Sequence, residues 1–464
     1  ASPSLHPLAA EAANELAALH LARRDYAEAR RWSAEAGRLT EAGAESARAT
    51  LLAGEIAWER GELEAAHRHF DAALAVYRSL ADRGGIAAAL ERMGRLFATW
   101  GRYEEALRYY REALSAYRVL EDRRRESLCL RSMGKALWRQ GKNREAEQAF
   151  SQSLAISRRI GDREGEAEVL NGLGVVYIVQ GDYGATRRAW EASAALYREL
   201  GLERRAAGAM HNLGIMYLDL GDYAGAQRHL EASLAVSRTI GSIGMEALDL
   251  GWLGKLHYRR GDYVLARRHL EAALRLDERG GSEEWLWHRA WLGMTLQAMG
   301  EVESAKRMLL RAVAEGEALG NDLQLRECLY ALTPVHLALG EGEAALRVGR
   351  RALAMAEVEG ERERMASCYA LLGEIHGSGT VAEAEPPEDY FRRALALIRT
   401  EVERGAHRFS QGVILRRYGS YLLRAGREEE GGRRLRAARR IFARLGAAGE
   451  LARVERLLAA AALG

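Results

Sequence analysis

Residues 179–190 read VQGDYGATRRAW, residues 218–230 LDLGDYAGAQRHL and residues 258–270 YRRGDYVLARRHL. The glycine–acid–tyrosine triplet returns at 181, 221 and 261, in forty-residue register. Such a triplet could be a ligand loop used three times or a structural joint used three times, and its surroundings decide. The joint glycine recurs as Gly61, Gly101, Gly141, Gly181, Gly221, Gly261, Gly300, Gly340 and, after a disturbed stretch, Gly426. A second glycine falls midway, as at Gly161, Gly201 and Gly241. Helix formers fill the twenty-residue intervals, and only 5 prolines interrupt the chain. That pattern specifies paired helices joined by short turns, and a period of this length signals a solenoid.

Residue types repeat inside each interval. Seven places before the joint stands a small residue (Gly54, Gly94, Gly134, Gly174, Gly214, Gly254, Gly293). Nine places after it stands a large one (Phe70, Tyr110, Phe150, Trp190, Leu230, Leu270). A small residue lets two helices approach and a large one fills the space left between them. The run L-G-x-x-Y, G-x-Y-x-x-A, then an aromatic, resembles the tetratricopeptide repeat, with forty residues per repeat instead of 34. Repeats of this length with GDY turns are similar to those of kinesin light chains, of the Pins/LGN scaffolds and of bacterial signalling proteins. The resemblance implies an all-α, right-handed α-solenoid superhelix of about eleven helix pairs with a C-terminal capping helix. The expected division is a divergent repeat over 1–45, a regular array over 46–325, divergent repeats over 326–445 with a loop insertion near 377–388, and a cap over 446–464.

Composition narrows the function. Lys plus Arg number 68 against 65 acids, and only Lys135, Lys142, Lys255 and Lys306 are lysines. This near balance does not suggest a nucleic-acid partner. No run is long and apolar enough to suggest a membrane span. Cys129, Cys328 and Cys368 lie far apart and form neither a disulfide framework nor a zinc site, which fits a cytoplasmic setting. No P-loop, HExxH or G-x-S-x-G motif occurs, so neither an enzyme nor a cofactor is expected.

In the resembled fold the first helix of each pair lines an inner wall, at positions thirteen, ten, six, three and two residues before the joint. Those positions, with their neighbours on the same helices, nominate Trp58 and Arg95, then Arg131, Lys135, Trp138 and Arg139. Asn171, Val175 and Ile178 come next, followed by His211, Ile215 and Leu218, and then Lys255, Tyr258, Arg259 and Trp287. Arg131, Lys135 and Arg139 are spaced four apart on one helix face, so their charges sum. Lys255 and Arg259 form a second basic patch, and Val175, Ile178, Ile215 and Leu218 an apolar floor. The expected partner is a protein or peptide with acidic residues around an apolar anchor. The chain then reads as an interaction scaffold, or as the ligand-sensing region of a larger bacterial signalling protein. Trp285, Trp287 and Trp291 crowd one helix, and Pro334 falls inside another, where it should kink the wall.

Overall fold

A computed structural model describes residues 6–40, 43–280, 284–381 and 385–462. Among them lie twenty-three α-helices and no strand. The chain divides into two compact units, one ending at Leu196 and one beginning at Tyr197.

Unit 1 contains α1 (His6–Ala22), α2 (Tyr26–Leu39), α3 (Ala44–Glu59), α4 (Leu63–Ser79) and α5 (Arg83–Thr99). It continues through α6 (Tyr103–Val119), α7 (Arg123–Arg139), α8 (Asn143–Ile160) and α9 (Arg163–Gln180) into α10 (Tyr183–Glu199), which carries the boundary. Its core runs unbroken from Ala47 to Val176 and holds the large side chains Phe70, Tyr110 and Phe150. The small-to-large rule explains how the pairs close. A methyl group on Gly94 would lie 2.7 Å from the Tyr110 ring, and one on Gly134 would lie 2.9 Å from Phe150. Glycine is therefore the residue that lets the ring of the second helix rest on the backbone of the first.

The joints share a left-handed glycine, and the residue that follows it differs in whether it caps the next helix. Gly181 adopts the left-handed conformation with φ 77°, which ends α9 without the strain a Cβ would bring. The Asp182 amide then bonds the Tyr177 carbonyl at 2.9 Å, and its carboxylate accepts from the Ala185 amide at 2.8 Å to cap α10. Asp222 caps the next second helix in the same way, through the Gly225 amide at 2.8 Å. Asp262 does not cap. Its carboxylate lies 3.5 Å from the Arg260 guanidinium and 3.6 Å from the His257 ring, partners that draw it off the helix end.

Unit 2 contains α11 (Glu203–Leu220), α12 (Tyr223–Thr239), α13 (Ile243–Arg260), α14 (Tyr263–Asp277), α15 (Trp285–Ala298) and α16 (Val302–Leu319). It continues with α17 (Asp322–Ala338), α18 (Gly342–Glu359), α19 (Arg362–His376) and α20 (Pro387–Glu403). The last three helices are α21 (Arg408–Arg424), α22 (Glu428–Leu445) and α23 (Ala448–Ala462). The helix α17 runs through Pro334 without a break, and the Pro334 carbonyl accepts from Gln297 at 2.9 Å. Of the loop expected near 377–388, residues 382–384 lie outside the described residues.

The two ends of unit 2 meet. One core joins Leu218, Leu230 and Leu253 from its first helices to Leu415, Phe442 and Val454 from its last. The His407 amide donates to the Asp219 carbonyl at 3.0 Å. A methyl group on Gly261 would lie 2.4 Å from the Gly449 amide nitrogen, and one on Gly221 2.3 Å from Leu445. At Gly101, Gly141 and Gly241 the same test meets nothing within 4 Å. The joints at 221 and 261 thus serve twice, as turns and as the faces on which the C-terminal helices seat. The helix row of unit 2 closes on itself.

Candidate functional site

A row of helices that closes on itself encloses a lumen. The lumen of unit 2 is a cavity of about 580 Å³, within the range typical of small-ligand pockets. Its walls come from the first helix of each pair (α13, α15, α17, α19 and α21) together with α23. Seven of the lining side chains are cationic and three are carboxylates. Four aromatic rings, Tyr258, Trp291, Tyr330 and Phe409, complete the wall.

The charges are organised in pairs. Arg416 holds Glu450 at 2.6 Å and Arg453 holds it at 2.8 Å. Burial opposes ionisation of Glu450, and the two guanidiniums overcome it, holding the carboxyl below its usual range. Arg417 pairs with Glu374, and Arg364 pairs with Glu327 at 2.5 Å and lies over the Tyr330 ring. Burial raises the Glu363 carboxyl, but Arg364, His407 and the Ser410 hydroxyl outweigh it and bring the value down to about 2. Arg259 lies 3.6 Å from Asp219, donates to the Leu218 carbonyl at 3.0 Å and stacks on Phe409.

Lys255 stands apart from these pairs. Its side chain is buried, and its ammonium sits 4.4 Å from the Trp252 ring centre, 5.0 Å from Trp291 and 5.8 Å from Trp287. Among the described residues no carboxylate lies within 4.0 Å of it. Burial, then the neighbouring Arg259, lowers its pKa to about 8. Arg424, at the rim, also has no carboxylate within that distance among the described residues; it bonds only Ser420 at 3.3 Å.

Such geometry, built from forty-residue helix pairs, matches what sequence comparison finds. A tetratricopeptide-repeat family model matches residues 45–119, 101–159, 123–185 and 165–239, and a second one matches 211–283. The chain is a tetratricopeptide-like α-solenoid. No curated protein matches it significantly. Among solved structures it is similar to the apo form of RapI, with TM-score 0.60 and 12% identity, covering 75% of this chain and 97% of that one. It is also similar to the apo form of the quorum sensor NprR from B. thuringiensis, with TM-score 0.54 and 15% identity over 74% and 98% of the two chains. Aspartyl phosphate phosphatase F from Bacillus subtilis gives 0.53 and 12% over 76% and 94%. At these identities the likeness shows the solenoid fold alone.

The tetratricopeptide-like wall places the nominated residues in three settings. Lys255, Tyr258 and Arg259 line the lumen of unit 2. Trp287 does not line it but closes the indole cage around Lys255, 4.9 Å from Trp252. On the same unit, His211 is half-buried and bonded to the buried Asp249 at 2.7 Å, Ile215 is half-buried, and Leu218 is sealed in the core. Leu218 therefore offers no surface to a ligand, because the closing C-terminal helices cover it.

In unit 1, Arg131 is paired with Glu168 at 2.7 Å, and Lys135 and Arg139 are exposed beside it, Arg139 over Trp138. Arg95 lies 4.8 Å from the Trp58 ring centre. Asn171, Val175 and Ile178 are half-buried, and the Asn171 carbonyl accepts from Trp190 at 3.1 Å.

The opposite wall, with Arg364, Arg416, Arg417, Glu450 and Arg453, was not nominated from the sequence. Part of it was within reach. Counting thirteen, ten and two residues back from Gly426 lands on Val413, Arg416 and Arg424, all of which line the lumen. Counting from position 380 lands on Ser367, Ala370, Glu374 and Ser378, also lining residues. The residues of α23 lie outside any repeat register, and no periodic signal points to them.

Proposed function

We propose that the chain is a binding module that holds a short acidic peptide segment in the lumen of unit 2, the acids against its cationic wall and an apolar anchor on its rings. The observation that carries this reading is the cavity itself, closed by the first and last helices of unit 2 and lined by seven cations, four aromatic rings and three carboxylates. The lining cations outnumber the lining carboxylates, an excess that in a low-dielectric cleft attracts negative charge, and aromatic walls supply the contact area that anchors side chains. The module is read as a binder and not as an enzyme. The ligand-sensing role is favoured by one further feature: Glu450 and Arg453 belong to the closing helix α23 and also face the lumen. An occupant touching them bears on the closure, so that binding and the shape of unit 2 are coupled.

Tryptophan fluorescence tests the reading, because Trp252, Trp287 and Trp291 surround Lys255. A pool of heptapeptides with Asp or Glu flanking Leu or Phe is expected to quench it saturably, while Asn and Gln counterparts do not. Lys255→Glu with Arg424→Glu is expected to weaken binding by at least about tenfold, in line with loss of desolvated charge contacts. The triple reversal of Arg131, Lys135 and Arg139 in unit 1 is expected to leave it unchanged. Equal binding of the neutral peptides, or loss only in the unit 1 variant, would sink the assignment.

A further inference from the structure

Lysine is scarce here, 4 residues against 64 arginines, and the four lysines differ in setting. Lys142 pairs with Glu104 at 2.9 Å and Lys306 with Glu341 at 2.5 Å. Lys135 is exposed on the wall of unit 1. Lys255 alone is buried. It faces a cavity, and three indole rings surround its head group without offering it a carboxylate. One turn on, Arg259 is also buried and faces the same cavity, and its Nε has no hydrogen-bond partner among the described residues. A buried guanidinium with an unpaired N–H carries an incompletely compensated positive charge at the cavity wall. A desolvated amine beside a second cation is the setting in which lysine becomes a nucleophile toward carbonyl carbon.

We propose that Lys255 and Arg259 form a covalent site for a small carbonyl compound that also carries a carboxylate, a 2-oxo acid being the simplest. The carboxylate pairs with the Arg259 guanidinium, which lines the same cavity. The neutral amine of Lys255 adds its lone pair to the carbonyl carbon, forming the C–N bond. The resulting carbinolamine loses its oxygen as water, taking up the two protons that leave nitrogen, and an imine remains. The exchange is reversible, and no oxidant or reductant takes part. Burial lowers the ammonium to about 8, so a usable share is neutral near neutral pH. The other charged groups that bear on Lys255 are Arg259, Asp219, Glu363 and Arg364, and the carboxylates among them leave it without direct contact. This site stands on Lys255 and Arg259 and does not depend on the acidic-segment reading of the lumen.

The test uses the full chain, pyruvate as probe and sodium cyanoborohydride to trap the imine, followed by peptide mapping. With only four lysines the map is unambiguous. The expected result is an adduct on Lys255 at least about tenfold above that on Lys142 or Lys306, as an activated amine requires. Acetaldehyde, which lacks the carboxylate, is expected to lose that preference. Lys255→Arg keeps the cation and the cage and is expected to abolish the adduct; its far-ultraviolet circular dichroism and melting curve report whether the fold is retained. Lys255→Met serves as a second variant if the arginine fails to fold. Equal labelling of the four lysines, labelling confined to the exposed ones, or equal preference with acetaldehyde would overturn the proposal.

Discussion

At the scale of single residues, the solenoid rests on one backbone conformation used again and again. Nearly every turn between helices places a residue at positive φ, and glycine fills most of these positions. Ala81 at φ 53° and Glu121 at φ 55° occupy the same turn that Gly161, Gly201 and Gly241 occupy elsewhere. A Cβ in the left-handed region costs about 1–2 kcal/mol, partly offset by the greater chain entropy of unfolded glycine. Ala81→Gly and Glu121→Gly are therefore expected to stabilise the protein by about 0.5–1 kcal/mol each in urea denaturation. Unchanged or lower midpoints would contradict the strain argument. Gly261 shows the converse. Alanine there meets both the strained φ and the Gly449 backbone, whereas alanine at Gly241 meets the φ alone.

At the scale of helices, packing follows the small-to-large rule, and that rule was readable in the sequence because each partner keeps a fixed distance from its joint. Gly94 with Tyr110 and Gly254 with Leu270 needed only counting. The wall of the site was legible on one side for the same reason: Lys255, Tyr258 and Arg259 sit six, three and two residues before Gly261. Its other side was not, because closure brings α21 and α23 beside α13 from about 150 and 190 residues away, and no local period encodes that contact. The fate of Leu218 was hidden by the same closure. A pH effect also belongs at this scale. His257 and His269 stack between α13 and α14 with ring centres 5.2 Å apart. Burial, then His257 and Arg268, draws His269 down to about 4, while burial lowers His257 against the pull of Asp262. The unfolded chain, with histidine near 6.5, then binds more protons than the fold. The stability contributed by the neutral pair is complete above about pH 6.5 and is lost as pH falls through about 4. Melting temperatures measured across that window should fall with acid, and His269→Phe should flatten the slope. An unchanged slope would remove the histidine pair from the account.

At the scale of the molecule, the GDY triplets are joints, and two of them do a second task. Gly221 and Gly261 accept Leu445 and Gly449, and that seat turns a row of helices into a closed wall around a lumen. The proposal puts binding on the inner helices a few residues upstream of each joint, where side chains can differ without disturbing the turn. The proposed binding site is the lumen of unit 2. Amide hydrogen exchange, followed with and without saturating acidic heptapeptide, tests it most directly. Slowed exchange is expected on the inner helices α13, α15, α17, α19 and α21 and on the closing helix α23, with the outer helices α12, α14 and α18 and all of unit 1 unchanged. Slowing concentrated on α5, α7 and α9 of unit 1, or spread over the outer helices of unit 2, would contradict it.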